Sequence, residues 1–246
     1  MPTLLPTSDY VMAIVAVLGT TISPYLFFWQ AAEEVEDEKQ DPSAKPLLKA
    51  PEQAPAQMAR MQIDTFVGMG FSNVIALFIM LTTAATLNAH GVTDIQTSSQ
   101  AAEALRPIAG RFAFTIFALG IIGTGLLAVP VLAGSAAYAV GEALKWRVGL
   151  AHRPGRAPAF YGTIALATLI GASLNFTPLD PIKALFWSAV INGVAAVPIM
   201  VMIMLMASRQ KVMGQFALRP VLRAFGWLAT AVMAVAAIGM FATWGD

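Results

Sequence analysis

The sequence predicts an all-α polytopic membrane protein with six transmembrane helices. Its 246 residues are 57% hydrophobic and only 12% charged, with a mean hydropathy of +0.68, a balance that soluble domains do not reach. Six runs, approximately 11–32, 63–88, 112–144, 158–176, 183–207 and 221–243, are apolar enough to cross a bilayer, whose hydrocarbon core of about 30 Å needs roughly 20 helical residues. The basic residues fall almost entirely in alternate links between those runs, as they do in inserted helical proteins. We treat 1–246 as a single transmembrane domain with a charged loop at 33–62.

The first run contains Gly19-Thr20-Thr21-Ile22-Ser23-Pro24-Tyr25-Leu26-Phe27-Phe28-Trp29-Gln30, where hydroxyls and a proline interrupt an apolar segment near mid-span. Pro24 has no N–H to give to the carbonyl four residues earlier, so the carbonyl of Thr20 loses its helical partner at membrane depth. An unpaired carbonyl in hydrocarbon costs several kcal/mol, so a neighbouring helix, a water-filled cavity or a cation is expected to meet it. The plainer alternative is a proline kink padded by the Thr21 and Ser23 hydroxyls. Glu33-Glu34-Val35-Glu36-Asp37-Glu38 closes the span. Beyond it, Pro42, Pro46, Pro51 and Pro55 break any long helix, and Ala56 to Met61 reads either as a short interfacial helix or as loop.

The second run carries Asp64, Ser72 and Asn73; polar side chains within a span are expected to face other helices. The third is too long for a perpendicular crossing, so it tilts or extends into water. Gly120, Gly123, Gly125 and Gly134 mark it as a packing helix, and Glu142 reads as a headgroup-level carboxylate. The fourth run is short and joins the fifth through Thr177-Pro178-Leu179-Asp180-Pro181. The fifth gathers polarity at Asn192-Gly193, followed by Pro198; the alternatives there are a polar site and a simple interhelical hydrogen bond worth about 1 kcal/mol. The sixth has no ionisable residue after Arg223 until Asp246 and reads as peripheral.

The links after spans one, three and five hold twelve basic residues: Lys39, Lys45, Lys49, Arg60, Lys145, Arg147, Arg153, Arg156, Arg209, Lys211, Arg219 and Arg223. The other side holds three, Arg106, Arg111 and Lys183. That asymmetry places the first group in the cytoplasm and both termini outside. A first helix entering from outside implies that something precedes Met1. Met1 to Asp9 has no Lys or Arg, so it is not read as a cleaved signal, and the absence of cysteine excludes disulfides and thiolate metal sites. Enzymatic catalysis is not expected: His90 and His152 lie in or beside loops, no span pairs a nucleophile with a base, and no glycine loop would cradle phosphate. No cofactor and no nucleic-acid partner is expected.

Thr20 to Glu34, with the glycine entry before it, resembles the sixth transmembrane helix of the Nramp family of divalent metal transporters, particularly its Nramp-related bacterial branches. The resemblance runs in order along the whole chain, the six spans corresponding to family helices six to eleven, with Asn192-Gly193 and Lys211-Val212-Met213-Gly214 resembling helix ten and its exit. It implies the second half of a leucine-transporter-type inverted-repeat fold, in which substrate binds between broken helices. Family ligands are an Asp and an Asn of helix one, in an Asp-Pro-Gly motif, with a backbone carbonyl and a Met of helix six. On this chain the carbonyl position matches Thr20 and the Met position matches Ser23; the helix-six histidines fall at Tyr25 and Gln30. Exchange of thioether for hydroxyl favours harder ions such as Mg²⁺ or Mn²⁺. Asp41-Pro42 and Asp180-Pro181 lack the following glycine, so the helix-one motif is missing.

The resemblance therefore implies transport of a divalent cation (Mn, Fe or Mg) in a bacterial inner membrane by a half-length secondary transporter. Its partners would be the lipid bilayer and a complementary N-terminal half or a homo-oligomer. The implied metal residues are Thr20, Ser23 and Asn192, with Pro24, Tyr25, Gln30 and Gly193 around them. The alternative is a truncated or non-transporting six-span scaffold or regulatory protein.

Overall fold

The computed structural model describes residues 7–91, 95, 97–103 and 105–244, with the backbone alone for His90 and Ile108. Residues 92–94, 96 and 104 of the expected external link, and both chain ends, lie outside the described residues. In chain order the α-helices are α1 (Ser8–Thr21), α2 (Pro24–Gln40), α3 (Ala54–Thr86), α4 (Ser98–Glu103) and α5 (Arg106–Ala109). There follow α6 (Ala113–Ala143), α7 (Pro158–Ser173), α8 (Pro181–Ala207), α9 (Gln210–Met213) and α10 (Pro220–Ala242). Among the described residues there is no strand, and six helical stretches are long and apolar enough to cross a membrane.

The helix ends follow from local chemistry. Pro55, Pro158, Pro181 and Pro220 sit in the first turns of their helices, where a missing N–H has no helical acceptor to lose. α2 runs on through the acidic residues to Gln40 because no glycine or proline interrupts it before Asp41-Pro42, and the residue before a proline is steered out of the helical region. Asp41 then accepts the Ser43 N–H at 2.8 Å and the Ser43 hydroxyl at 2.7 Å; these bonds, the hydroxyl first, hold its carboxyl below the usual range. Residues 56–61 are not a separate helix; they form part of α3. There Arg60 reaches Glu34 at 2.6 Å and Asp37 at 3.2 Å, an exposed pairing worth less than about 1 kcal/mol. α6 encloses Pro130, and its 31 residues extend roughly 46 Å at 1.5 Å per residue, well beyond the hydrocarbon core.

The chain forms two compact units. One comprises α1 through the first residues of α2, the segment Pro46–Pro51 and the chain from Leu185 onward. Its core is Val15, Ala16, Ala189, Val190 and Met240, flanked by Val11, Met12, Val194 and Ala236. Leu48 rests on Gly214, whose φ of 56° with ψ −128° suits only glycine without strain. Trp187 and Trp244 meet with ring centroids 5.8 Å apart, an aromatic pair of the kind found at headgroup level.

The other unit holds the rest of α2 together with α3 to α7. Ala32, Ala137, Tyr138, Ala157 and Phe160 are its buried centre. α3 contributes almost nothing to it: its most apolar stretch is wholly unburied, and Phe66 and Phe71 are 77% and 71% exposed. Ser72 and Asn73, expected to face other helices, are exposed too. Each large apolar side chain left in water forgoes about 1.5–3 kcal/mol, so this helix suits only lipid or protein surroundings. Gly120, Gly123 and Gly125 likewise have open space beside them, whereas Gly134 of the same helix packs under the Trp29 ring.

Candidate functional site

The first span is broken in the structure between α1 and α2, at Ile22 and Ser23. Ile22 leaves the helical region (φ −113°, ψ 81°) while its N–H still reaches the Leu18 carbonyl at 2.9 Å. Pro24 opens α2, so the Thr20 carbonyl has no amide hydrogen to accept in the following turn. The buried Ser23 hydroxyl supplies one proton between two carbonyls, Gly19 at 3.2 Å and Thr20 at 3.3 Å. Both bonds are long, and each carbonyl keeps a lone pair in reserve. The hydroxyls of Thr20 and Thr21 turn backwards instead, to Val17 at 2.7 Å and Leu18 at 2.9 Å. The end of α1 thus presents carbonyl oxygens at the negative end of a helix dipole, an electrostatic setting that favours a cation.

The break lies against a helix crossing. A Cβ built on Gly19 would overlap the Ala189 carbonyl oxygen and come within 2.6 Å of the Gly193 nitrogen and 2.9 Å of its Cα. One built on Gly193 would lie 2.7 Å from the Val15 carbonyl oxygen. α1 and α8 therefore touch backbone to backbone, which only glycine permits. Gly193 sits at the crossing, and Asn192 beside it is half-buried with no hydrogen bond to a described residue. Pro24 is buried and Tyr25 half-buried in the same unit. Gln30 belongs to the other unit, where it is exposed and its amide donates to Thr65 at 3.4 Å. Among the described residues, no cluster of three His, Asp or Glu side chains is arranged to hold a metal ion.

A second arrangement escaped the sequence analysis. The Glu36 carboxylate accepts from the Tyr138 hydroxyl at 2.5 Å, from the Leu150 N–H at 3.0 Å and from the Ala151 N–H. Tyr161 donates to the Leu150 and His152 carbonyls at 3.1 and 2.8 Å, so the link between α6 and α7 is tied from both sides. Gly149 has φ 136°, and a Cβ there would sit 3.2 Å from the Glu36 carboxylate. Rings behind it stack edge to face: Trp29 to Tyr138 at 6.0 Å, Tyr138 to Phe160 at 4.9 Å and Phe160 to Tyr161 at 5.4 Å. The single tyrosine of the largely apolar α6 was the available signal, since a buried phenol needs a polar partner.

Comparison with known proteins agrees with this architecture. The family model described as Nramp, natural resistance-associated macrophage protein-like, matches residues 1–243. The "Divalent metal cation transporter MntH" of Aeromonas hydrophila is 23% identical over 231 residues, 93% of this chain and 51% of that protein. The protein of the same name from Caldanaerobacter subterraneus is 25% identical over 227 residues, 91% of this chain and 49% of its own length. That of Klebsiella pneumoniae is 24% identical over 233 residues, 95% and 51% respectively. The chain thus spans about half the length of the curated relatives it matches.

Proposed function

We propose a transport role for this chain, which belongs to the Nramp family: it forms the part of a divalent-cation transporter that contributes a broken helix to the ion path. The observation that carries the reading is the α1–α2 break, where the carbonyls of Gly19 and Thr20 share a single serine proton at the end of a helix dipole. Thr20 contributes its carbonyl as ligand, Ser23 an oxygen that biases the site toward harder ions such as Mg²⁺ or Mn²⁺, and Asn192 its uncommitted amide in one transport state. Pro24 withholds the amide hydrogen that would otherwise occupy the carbonyl; Gly193 brings α8 close; Tyr25 and Gln30 occupy later positions of α2.

Thr20, Ser23 and Asn192 are neutral. A cation of charge +2 held by them alone would lack a compensating anion at membrane depth, where desolvation is severe. We assign the missing carboxylate to a complementary half or a second copy, in the manner of inverted-repeat transporters. The test is uptake of Mn²⁺, Cd²⁺ and Mg²⁺ into liposomes containing either the chain alone or the chain co-expressed with the first five helices of a relative. Saturable uptake is expected only in the second case. There Ser23→Met should raise the preference for Cd²⁺ over Mg²⁺ on the order of tenfold, the effect of about 1.4 kcal/mol of added soft-ligand binding. Thr20→Ala should change little, because its carbonyl remains. Uptake by the chain alone overturns the need for a partner, and uptake in neither case favours the scaffold reading.

The orientation belongs to the same proposal. Twelve basic residues against three place the 33–62 link in the cytoplasm and 91–104 outside. Ser43 and Ser98 are both exposed, so Ser43→Cys and Ser98→Cys report the two faces. An impermeant thiol reagent applied to intact cells is expected to label the cysteine at 98 and spare that at 43; the reverse pattern inverts the topology.

A further inference from the structure

The link between α6 and α7 is a built surface that the transport reading does not use. It joins two candidate membrane spans, one ending at Ala143 and the next beginning at Pro158, so it sits where the chain leaves and re-enters the bilayer. Lys145, Arg147, Arg153 and Arg156 lie on it, all exposed, and among the described residues none forms an ion pair. From Ala143 to Leu179 the sequence contains no Asp or Glu. The Glu36 carboxylate, which meets the link at Leu150 and Ala151, already accepts three donors. Glu142 stands at the end of α6, and Lys39 shares with it, and with half-buried His152, a small cavity of about 190 Å³.

The link is also held in one shape. The Trp146 N–H returns to the Gly141 carbonyl at 2.7 Å, Lys145 and Gly149 adopt positive φ, and Tyr161 holds the carbonyls of Leu150 and His152. Beside the cations stand exposed apolar side chains: Leu144, Trp146 and Leu150 are 56%, 40% and 41% exposed. Guanidinium forks on the same short strip as exposed indole and leucyl groups, at the bilayer edge, match the chemistry of a phosphodiester headgroup above acyl chains.

We infer that the 144–157 link binds anionic phospholipid headgroups, with Arg147, Arg153 and Arg156 contacting phosphate and Trp146 seated in the interface. The inference stands apart from metal transport and is read without it. The experiment measures equilibrium binding of short-chain phosphatidylglycerol, phosphatidylcholine and inorganic phosphate to the full chain in neutral detergent. Phosphatidylglycerol is expected to bind at least tenfold tighter than phosphatidylcholine, with no saturable binding of free phosphate. Each charge removed weakens binding about fivefold, so Arg147→Gln, Arg153→Gln and Arg156→Gln together should cost about a hundredfold, whereas the three Arg→Lys changes retain most of the affinity. Arg219→Gln with Arg223→Gln should leave it unchanged. Equal affinity for the two lipids, equally tight free phosphate, an unaltered triple glutamine variant, or the same loss from the Arg219 and Arg223 changes would overturn the proposal. Where the glutamine variant does not fold, the lysine variant and the wild-type lipid comparison decide.

Discussion

Gly19→Ala is expected to destabilise the unit containing α1, α8 and α10 by about 3 kcal/mol, at the upper end for overpacking. The added methyl would meet the Ala189 carbonyl oxygen and the Gly193 backbone, not the far end of a flexible side chain. Relief therefore requires α1 and α8 to separate along their length, which opens the core of Val15, Ala16, Ala189 and Val190. It also moves the break at Ile22 and Ser23, which begins within one turn of the crossing. Gly120→Ala and Gly68→Ala provide the contrast: both have open space beside them, so alanine should be neutral or stabilising by up to about 1 kcal/mol through helix propensity. Unfolding of the three variants in mixed micelles by a denaturing detergent measures the difference. Equal stability of the Gly19 and Gly120 variants would show that the crossing is looser than described.

The second large effect is expected at Glu36. Glu36→Ala removes the acceptor shared by the Tyr138 hydroxyl and the amides of Leu150 and Ala151. Donors stranded without an acceptor cost about 1–3 kcal/mol each when they stay buried. The amides of the link can turn to water and Tyr138 cannot, so we expect about 3 kcal/mol in all. Tyr138→Phe deletes one donor and leaves the carboxylate two others, and should cost about 1 kcal/mol. In the double variant the two losses should fall short of adding, since both remove the same bond. Hydrogen exchange at Leu150 and Ala151 supplies a local readout: Glu36→Ala should release both amides, and Tyr138→Phe should leave them largely protected. If exchange there is already fast in the unaltered chain, the tie from α2 to the link does not form.

The break in the first span was legible because its cause is local. Pro24 removes a helical hydrogen bond within four residues, and Thr20, Thr21 and Ser23 just before it offer hydroxyls to the carbonyls of the preceding turn, whereas Pro130 and Pro198, without such a cluster, lie inside α6 and α8 and do not end them. The serine's part was less visible, since its hydroxyl divides between two carbonyls of α1 in competition with any ion. Composition could not locate the packing glycines. Gly120, Gly123 and Gly125 look like a close-packing stripe and meet nothing, while Gly19 and Gly193, 174 positions apart, touch. The spacing was available at Ala189 and Gly193, four residues apart on one helix face, but spacing does not name the partner. Glu36 read as one carboxylate of the acidic run that closes the first span. Its partner Tyr138 lies 102 residues further on, and only the fold brings them together.

The sequence by itself determined that six helices are apolar enough to cross a membrane, where the first breaks and which links carry positive charge, because hydropathy, proline and charge act within a turn or a span. The tertiary structure alone decided that α1 and α8 meet backbone to backbone, that Glu36 ties down the link after α6 and that the glycines of α6 near residue 120 stay uncovered. Those outcomes depend on distances of a few ångströms between groups far apart along the chain, and such distances exist only once the helices have packed.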